Sequence, residues 1–266
     1  MYKCMHTKEE IESILKNSKN IFFIGIGGVS MSSLAHISAK SGFCVSGSDR
    51  TESDVTKALE ECGVKVFYKH CADNVKGADA VVYTAAIRDD NPELVYAREN
   101  SIPTIYRADY LGYIMSKHKN RIGISGMHGK STATSMTSLV FLEAGVDPTV
   151  VSGAKLNQLE GGAYRTGSKE HFIMEACEYC DSFLSFTPNI AVVLNVEMDH
   201  PDYFKDLDQI KSSFSRFVSI ADEGCAVVNW DDENVRETVR DYKGRLVKFG
   251  RESQGLDYTA ENIRYE

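Results

Sequence analysis

The chain has 266 residues, room for roughly two domains. Apolar residues make up 42% and charged residues 26%, the balance of an ordinary soluble globular protein. A net charge of −8 leaves no global basic footprint for nucleic acid, and the longest apolar runs, such as residues 190–194, are far too short to span a membrane. An anionic ligand must therefore be held locally, by helix N-termini, glycine turns, single lysines and bound cations. Residues 1–10 are polar with no apolar signal core, which points to the cytoplasm. Seven cysteines at irregular spacings read as free thiols of a reducing compartment.

In chain order, residues 7–17 read as a helix, with Thr7 and Glu10 as a capping box and Ile11, Ile14 and Leu15 as its apolar stripe. Residues 20–24 read as a strand broken by Gly25-Ile26-Gly27-Gly28-Val29-Ser30, with a helix over 31–40. The turn resembles the G-x-G-x-x-G fingerprint with Ser30 at its third glycine, and Asp49 follows the next strand, 43–46, where a ribose is bound in dinucleotide sites. A plain βα turn is the alternative. The alternation continues with helix 52–61, strands 64–67 and 79–83, a helix opened by Pro92, strand 102–105 and helix 107–117. Such a series implies a parallel sheet covered by helices, with ligands beyond the carboxyl ends of the strands. Residues 116–121 are the expected linker to a second unit.

That second unit opens with strand 121–125 and Gly126-Met127-His128-Gly129-Lys130-Ser131-Thr132. Strand, glycine turn and helix, here 133–144, form the context of a phosphate-binding loop, although the first glycine of G-x-x-x-x-G-K-[ST] falls at Ile124 and is missing. Glycines let backbone N–H groups approach phosphate oxygens, Lys130 supplies a point charge, and the Ser131 hydroxyl suits Mg²⁺ carried by a nucleoside triphosphate such as ATP. An apolar run ends at Val151, residues 154–167 read as a loop, and strand 171–174 delivers Glu175. Residues 183–186 are a short helical turn or strand, and strand 189–194 runs into Asn195-Val196-Glu197-Met198-Asp199-His200. Helix 207–221, strand 225–229, helix 231–240 and strand 246–249 follow. Acidic strand ends beside a phosphate loop are where a carboxylate meets the nucleotide's Mg²⁺. His200 reads as a ligand or a hydrogen-bonded structural histidine; Glu178 and Asp199 read as supporting acids or solvated loop residues.

Taken together, the glycine turn, Ser46-Gly47-Ser48-Asp49, Thr84-Ala85-Ala86-Ile87, the phosphate loop, Glu175-Ala176-Cys177-Glu178 and Asn195 to His200 resemble the Mur ligase family, in the family's order over nearly the whole chain. The resemblance implies a Rossmann-like domain for a UDP-sugar over residues 1–118 and a central ATPase domain over 119–266, lacking its end, with a C-terminal amino-acid-binding domain absent. It implies an ATP-dependent ligase of peptidoglycan synthesis that joins L-alanine to the lactyl carboxylate of UDP-N-acetylmuramate through an acyl phosphate. Lys130, Glu175 and His200 would be catalytic, with Ser131, Glu175 and His200 on Mg²⁺. Gly25, Gly27, Gly28, Ser30, Met31, Ser32, Asp49, Thr84 and Ala85 would hold the UDP-sugar. Met127 departs from a usual threonine, Ser131 keeps the hydroxyl of another, and Cys177, Tyr179 and Cys180 depart from the E-A-D-E-S-D form. On this reading the chain is an N-terminal portion that binds the UDP-sugar and ligates poorly alone. Alternatives are a ligase recycling a murein tripeptide onto the same sugar nucleotide, a non-catalytic UDP-sugar-binding module, and an NAD-binding dehydrogenase fused to a P-loop module.

Overall fold

A computed structural model describes residues 6–159, 162–221 and 223–264. The chain divides into two compact units, one of residues 3–114 with 155–166, the other of residues 115–154 with 167–266.

In the first unit, helix α1 (Lys8–Lys16) starts with the expected capping box: Thr7 Oγ1 accepts from the Glu10 N–H and the Glu10 carboxylate accepts from the Thr7 N–H. There follow β1 (Asn20–Ile24), α2 (Val29–Lys40), β2 (Cys44–Ser48), α3 (Asp54–Glu61), β3 (Lys65–Phe67), β4 (Ala80–Tyr83), α4 (Pro92–Glu99), β5 (Thr104–Tyr106) and α5 (Arg107–Ser116). The strands pair in parallel in the order β3-β2-β1-β4-β5. A central strand must be apolar on both faces, and Ile21, Phe22, Phe23 and Ile24 of β1 are all fully buried. Phe22 and Ile24 pack with Val81, Leu94 and Ala97, while the Phe23 ring meets Tyr110 edge-on at 6.0 Å. The chain leaves β1 towards β2 on one side and later returns to β4 on the other, so a crevice opens beyond the carboxyl end of β1.

The second unit holds β6 (Asn120–Ser125), α6 (Lys130–Glu143), β7 (Thr149–Val151), β9 (His171–Glu175), β10 (Ile190–Val193), α7 (Leu207–Ser219), β11 (Cys225–Asn229), α8 (Glu233–Thr238), β12 (Arg245–Gly250) and β13 (Tyr258–Thr259). The short strand β8 (Tyr164–Arg165) lies in the segment that clusters with the first unit. The order β13-β12-β11-β10-β6-β9-β7 is parallel throughout and puts β6 between β9 and β10, again a switch point. Gly123 in β6 is small because Phe217 of α7 and Pro188 occupy the space a Cβ would enter, both at 3.3 Å. Phe217 stacks on Phe183 at 4.6 Å, and Phe214 meets the same ring edge-on at 5.2 Å.

Several boundaries move relative to the sequence reading. Helix α6 begins at Lys130 rather than 133, because Gly129 turns the chain directly into it. Only 117–119 separate α5 from β6. Residues 179–185 form a 3₁₀ segment broken by positive φ at Cys180 and Asp181. Four short elements, β7, β8 inside the stretch 154–167 expected as a loop, β13 and a 3₁₀ turn at Ala72–Val75, carry too few residues to show a period and were not expected as such. Among the described residues no helix is long and apolar enough to cross a membrane.

Candidate functional site

The phosphate loop grows out of β6 at the switch point of the second sheet. Ser125 Oγ donates to the Val192 carbonyl at 2.7 Å and the Leu194 N–H donates to the Ser125 carbonyl at 3.0 Å, tying the ends of β6 and β10 together. Gly126 has φ +145°, and a Cβ there would lie 3.0 Å from that of Leu194. Gly129 has φ +81° and caps α6. Asn195 grips the loop between them: its Oδ1 accepts from the His128 N–H at 2.8 Å, its Nδ2 donates to the His128 carbonyl at 2.9 Å, and its own carbonyl accepts from the Met127 N–H at 3.3 Å. The first hydrogen bond inside α6 runs from the Ala133 N–H to the Gly129 carbonyl, leaving the N–H groups of Lys130, Ser131 and Thr132 pointing out of the helix start. The cradle of outward N–H groups therefore lies at Lys130 to Thr132, while Met127 and His128 are held by Asn195.

Two acids stand against this cradle. Ser131 Oγ donates to Glu175 Oε2 at 2.8 Å, and the Gly153 N–H donates to the same oxygen at 2.9 Å. Gly153 has to be glycine for that approach, since a Cβ would sit 2.5 Å from Glu175 Oε2. Two oxygens 2.8 Å apart match adjacent corners of an octahedron with metal–oxygen bonds of about 2.0–2.1 Å, so hydroxyl and carboxylate fit the hard, octahedral Mg²⁺. They would be two ligands of six, the rest phosphate oxygens and water; among the described residues no three His, Cys, Asp or Glu side chains cluster as a metal site.

Glu178 is the second acid and is fully buried. Lys130 Nζ donates to its Oε1 at 3.0 Å, lies 3.0 Å from its Oε2, and also donates to the carbonyls of Gly126 (2.6 Å) and Met127 (3.1 Å). His200 Nε2 lies 3.1 Å from Glu178 Oε1. His200 has φ +51°, its N–H donates to Asp199 Oδ1 at 2.7 Å, and its ring lies 5.0 Å from that of Tyr179. That backbone bond holds the Asp199 carboxyl below the usual range. The Tyr179 hydroxyl donates to Asp202 at 2.7 Å, and this hydrogen bond, with the nearby charge, pushes the phenol up to about 12. Asp181 is anchored separately by Ser213 and Tyr203, and burial pushes the Cys180 thiol up.

In the first unit, Gly25 has φ +79°, and the Gly25 and Ile26 N–H groups donate to the Ser48 carbonyl at 2.8 and 2.9 Å. Gly28, extended and without a side-chain cap, opens α2, and the Ser32 N–H bonds back to its carbonyl. Asp49 Oδ2 accepts from the Gly27 N–H at 2.8 Å, so the acid expected on a ribose also fastens the turn. Ser30 Oγ accepts from Arg107 at 3.0 Å; Ser32 Oγ donates to the Val29 carbonyl at 2.9 Å; Met31 is buried. Thr84 and Ala85 sit just beyond β4, with the Thr84 carbonyl accepting from the Ile87 N–H. Beneath the turn, buried Glu93 collects Ser48 Oγ (2.6 Å), His70 Nδ1 (2.7 Å) and Asn74 Nδ2 (2.8 Å).

The sequence reading gathered Lys130, Ser131, Glu175 and His200 around one loop, and the fold brings each of them there. It left Glu178, Asn195 and Glu93 without roles and passed over Gly153 and His70. The Glu-x-x-Glu spacing after β9 was a usable signal for Glu178; contacts as distant as Gly153 with Glu175 leave none.

Two family profiles cover most of the chain: Mur ligase family, catalytic domain, over residues 20–119, and Mur ligase middle domain, over residues 124–266. A UDP-N-acetylmuramate–L-alanine ligase of Acetivibrio thermocellus is 48% identical over 248 residues, spanning 93% of this chain and 53% of that protein. The crystal structure of a UDP-N-acetylmuramate-alanine ligase from Thermotoga maritima superposes with a TM-score of 0.78 at 31% identity, covering 88% of this chain and 53% of that one. A UDP-N-acetylmuramate:L-alanyl-gamma-D-glutamyl-meso-diaminopimelate ligase from Neisseria meningitides gives 0.80 at 29% identity, covering 87% and 78%. The chain thus spans about half the length of the curated relatives it matches.

Proposed function

The chain belongs to the Mur ligase family, and from that premise we propose that it carries the sugar-nucleotide and ATP sites of a ligase joining L-alanine to the lactyl carboxylate of UDP-N-acetylmuramate. The domains would divide at residues 118/119. The observation that carries the reading is the joining of Lys130, Ser131, Glu175 and His200 around one glycine loop, in a chain 48% identical to a ligase named for these substrates.

In this mechanism the substrate carboxylate attacks the γ-phosphorus of ATP, ADP leaves, and the amine of L-alanine then displaces phosphate from the acyl phosphate. Phosphoryl transfer asks the protein for position and charge rather than for a nucleophile. The N–H groups at the start of α6 hold phosphate oxygens, and Lys130 neutralises charge on the group in transfer. Ser131 and Glu175 would hold Mg²⁺ and His200 a second ion; bound there, Mg²⁺ neutralises phosphate charge. In the first unit, Gly25, Gly27 and Gly28 receive the UDP diphosphate, with Ser30, Met31 and Ser32 in the first turn behind them, and Asp49, Thr84 and Ala85 face the uridine side. Such chemistry draws on ATP and a UDP-sugar, which puts it in the cytoplasm.

Calorimetric titration of the purified chain with UDP-N-acetylmuramate, with NAD⁺ as comparison, tests the first site, and MgATP the second. Binding of UDP-N-acetylmuramate and MgATP without NAD⁺ is expected. Binding of NAD⁺ alone overturns the proposal and leaves a dehydrogenase-type module.

A further inference from the structure

The first acid of Glu175-Ala176-Cys177-Glu178 already has a task at Ser131; the second has none in the mechanism above. Yet Glu178 is the more deeply placed, 0% exposed, with a side chain on each side of it that the reaction needs. A buried carboxylate is costly unless its charge is compensated. Lys130, its side chain 12% exposed, supplies the compensating charge. With the Lys130 ammonium donating to it, the Glu178 carboxylate is the acceptor of this cluster. The atom of His200 that faces it, Nε2 at 3.1 Å, must then be the one that carries the proton. Nδ1 of the same ring makes no hydrogen bond to any described residue, and the side chain is one-third exposed. A histidine whose one ring nitrogen donates to a carboxylate offers the other as a ligand with its orientation and tautomer fixed.

We propose that Glu178 is a positioning residue that ties Lys130 and His200 together, keeping Lys130 over the loop carbonyls and fixing His200 with its proton on Nε2 and its Nδ1 lone pair towards the ligand. The inference rests on the second unit being a nucleotide site only for what Nδ1 meets, not for the tautomer itself. Tyr179 completes the seat: its ring flanks His200, and its hydroxyl is held by Asp202.

The test reads the ring in nucleotide-free protein. Nitrogen-15 spectra of the histidines, recorded at a pH where imidazole is neutral, show which nitrogen bears the proton and whether that N–H is protected from exchange. His200 is assigned by His200→Gln. The expected result is an N–H on Nε2, slow enough to observe, that persists in Glu178→Gln, whose amide oxygen still accepts, and vanishes in Glu178→Ala. Amide spectra of both variants report whether the fold is retained, and if Glu178→Ala does not fold, the exchange rate in Glu178→Gln against wild type decides. A proton on Nδ1, or an Nε2–H whose exchange is the same whatever stands at 178, overturns the proposal. In the second arm, Mn²⁺ affinity in the presence of ATP is expected to weaken about 10–100-fold in Glu178→Ala, the effect of losing a carboxylate behind a ligating histidine. Wild-type chain that binds no MgATP would count against the nucleotide site, while the tautomer would still be read independently.

Discussion

Replacing Gly27 by alanine isolates one hydrogen bond of the first unit's turn. Gly27 has an ordinary negative-φ backbone, so alanine adds no conformational strain; it adds a Cβ 2.8 Å from Asp49 Oδ2 and 3.1 Å from both Asp49 Cγ and Thr56 Cγ2. Asp49 must swing away, and the 2.8 Å bond from the Gly27 N–H to its carboxylate breaks. A hydrogen bond to a charged group contributes about 1.5–3 kcal/mol, and the half-buried setting argues for the lower end. About 1.5 kcal/mol is a little over tenfold in an equilibrium constant. Because the freed turn has to be re-formed by the ligand, UDP-N-acetylmuramate should bind roughly tenfold more weakly to Gly27→Ala by calorimetry. The melting midpoint should fall by about 5 °C. Asp49→Asn removes the charge from the same bond, so the double variant should be little worse than either single one, with a coupling of about 1.5 kcal/mol. Effects of the two substitutions that simply add, or a Gly27→Ala chain that binds within about twofold of wild type, would refute the reasoning.

Other expectations follow from the second unit. Gly153→Ala puts a Cβ 2.5 Å from Glu175 Oε2 and displaces the carboxylate from Ser131; Mg²⁺-dependent ATP binding should weaken about tenfold while metal-independent binding holds, as separate titrations would show. Asn195→Ala removes both side-chain bonds to His128, which should lower stability by about 1–3 kcal/mol in urea unfolding and open the loop; an unchanged midpoint argues against the clamp. Asp231 accepts from the N–H groups of Arg251 and Ser253 above all, holding its carboxyl down to about 2. A depressed carboxyl contributes stability that is full above its ordinary value near 3.8 and is lost as pH falls through about 2. Acid unfolding of Asp231→Asn should therefore lack that component between about pH 4 and 2; curves that superpose with wild type would remove it.

Residue order alone carries the local features: a strand, a glycine turn and a helix start are contiguous in the chain, so the turns at Gly25 to Ser32 and Gly126 to Thr132 were legible from it. The alternation of short apolar strands with helices likewise prescribed parallel sheets, since parallel neighbours need a crossover. What no local pattern contains is which strand ends lie side by side. The order β10-β6-β9 decides that Glu175 and His200, each far along the chain from Lys130, close on one loop. Burial is equally a tertiary property: the spacing from Glu175 marks Glu178 as a candidate, but only the packing of its neighbours takes it out of water and gives it to Lys130 and His200. Asn195 and Gly153 follow the same rule. One closes on the loop through the two bonds of its side chain to the His128 backbone and the other is shaped by a carboxylate, each partner standing at the end of a neighbouring strand.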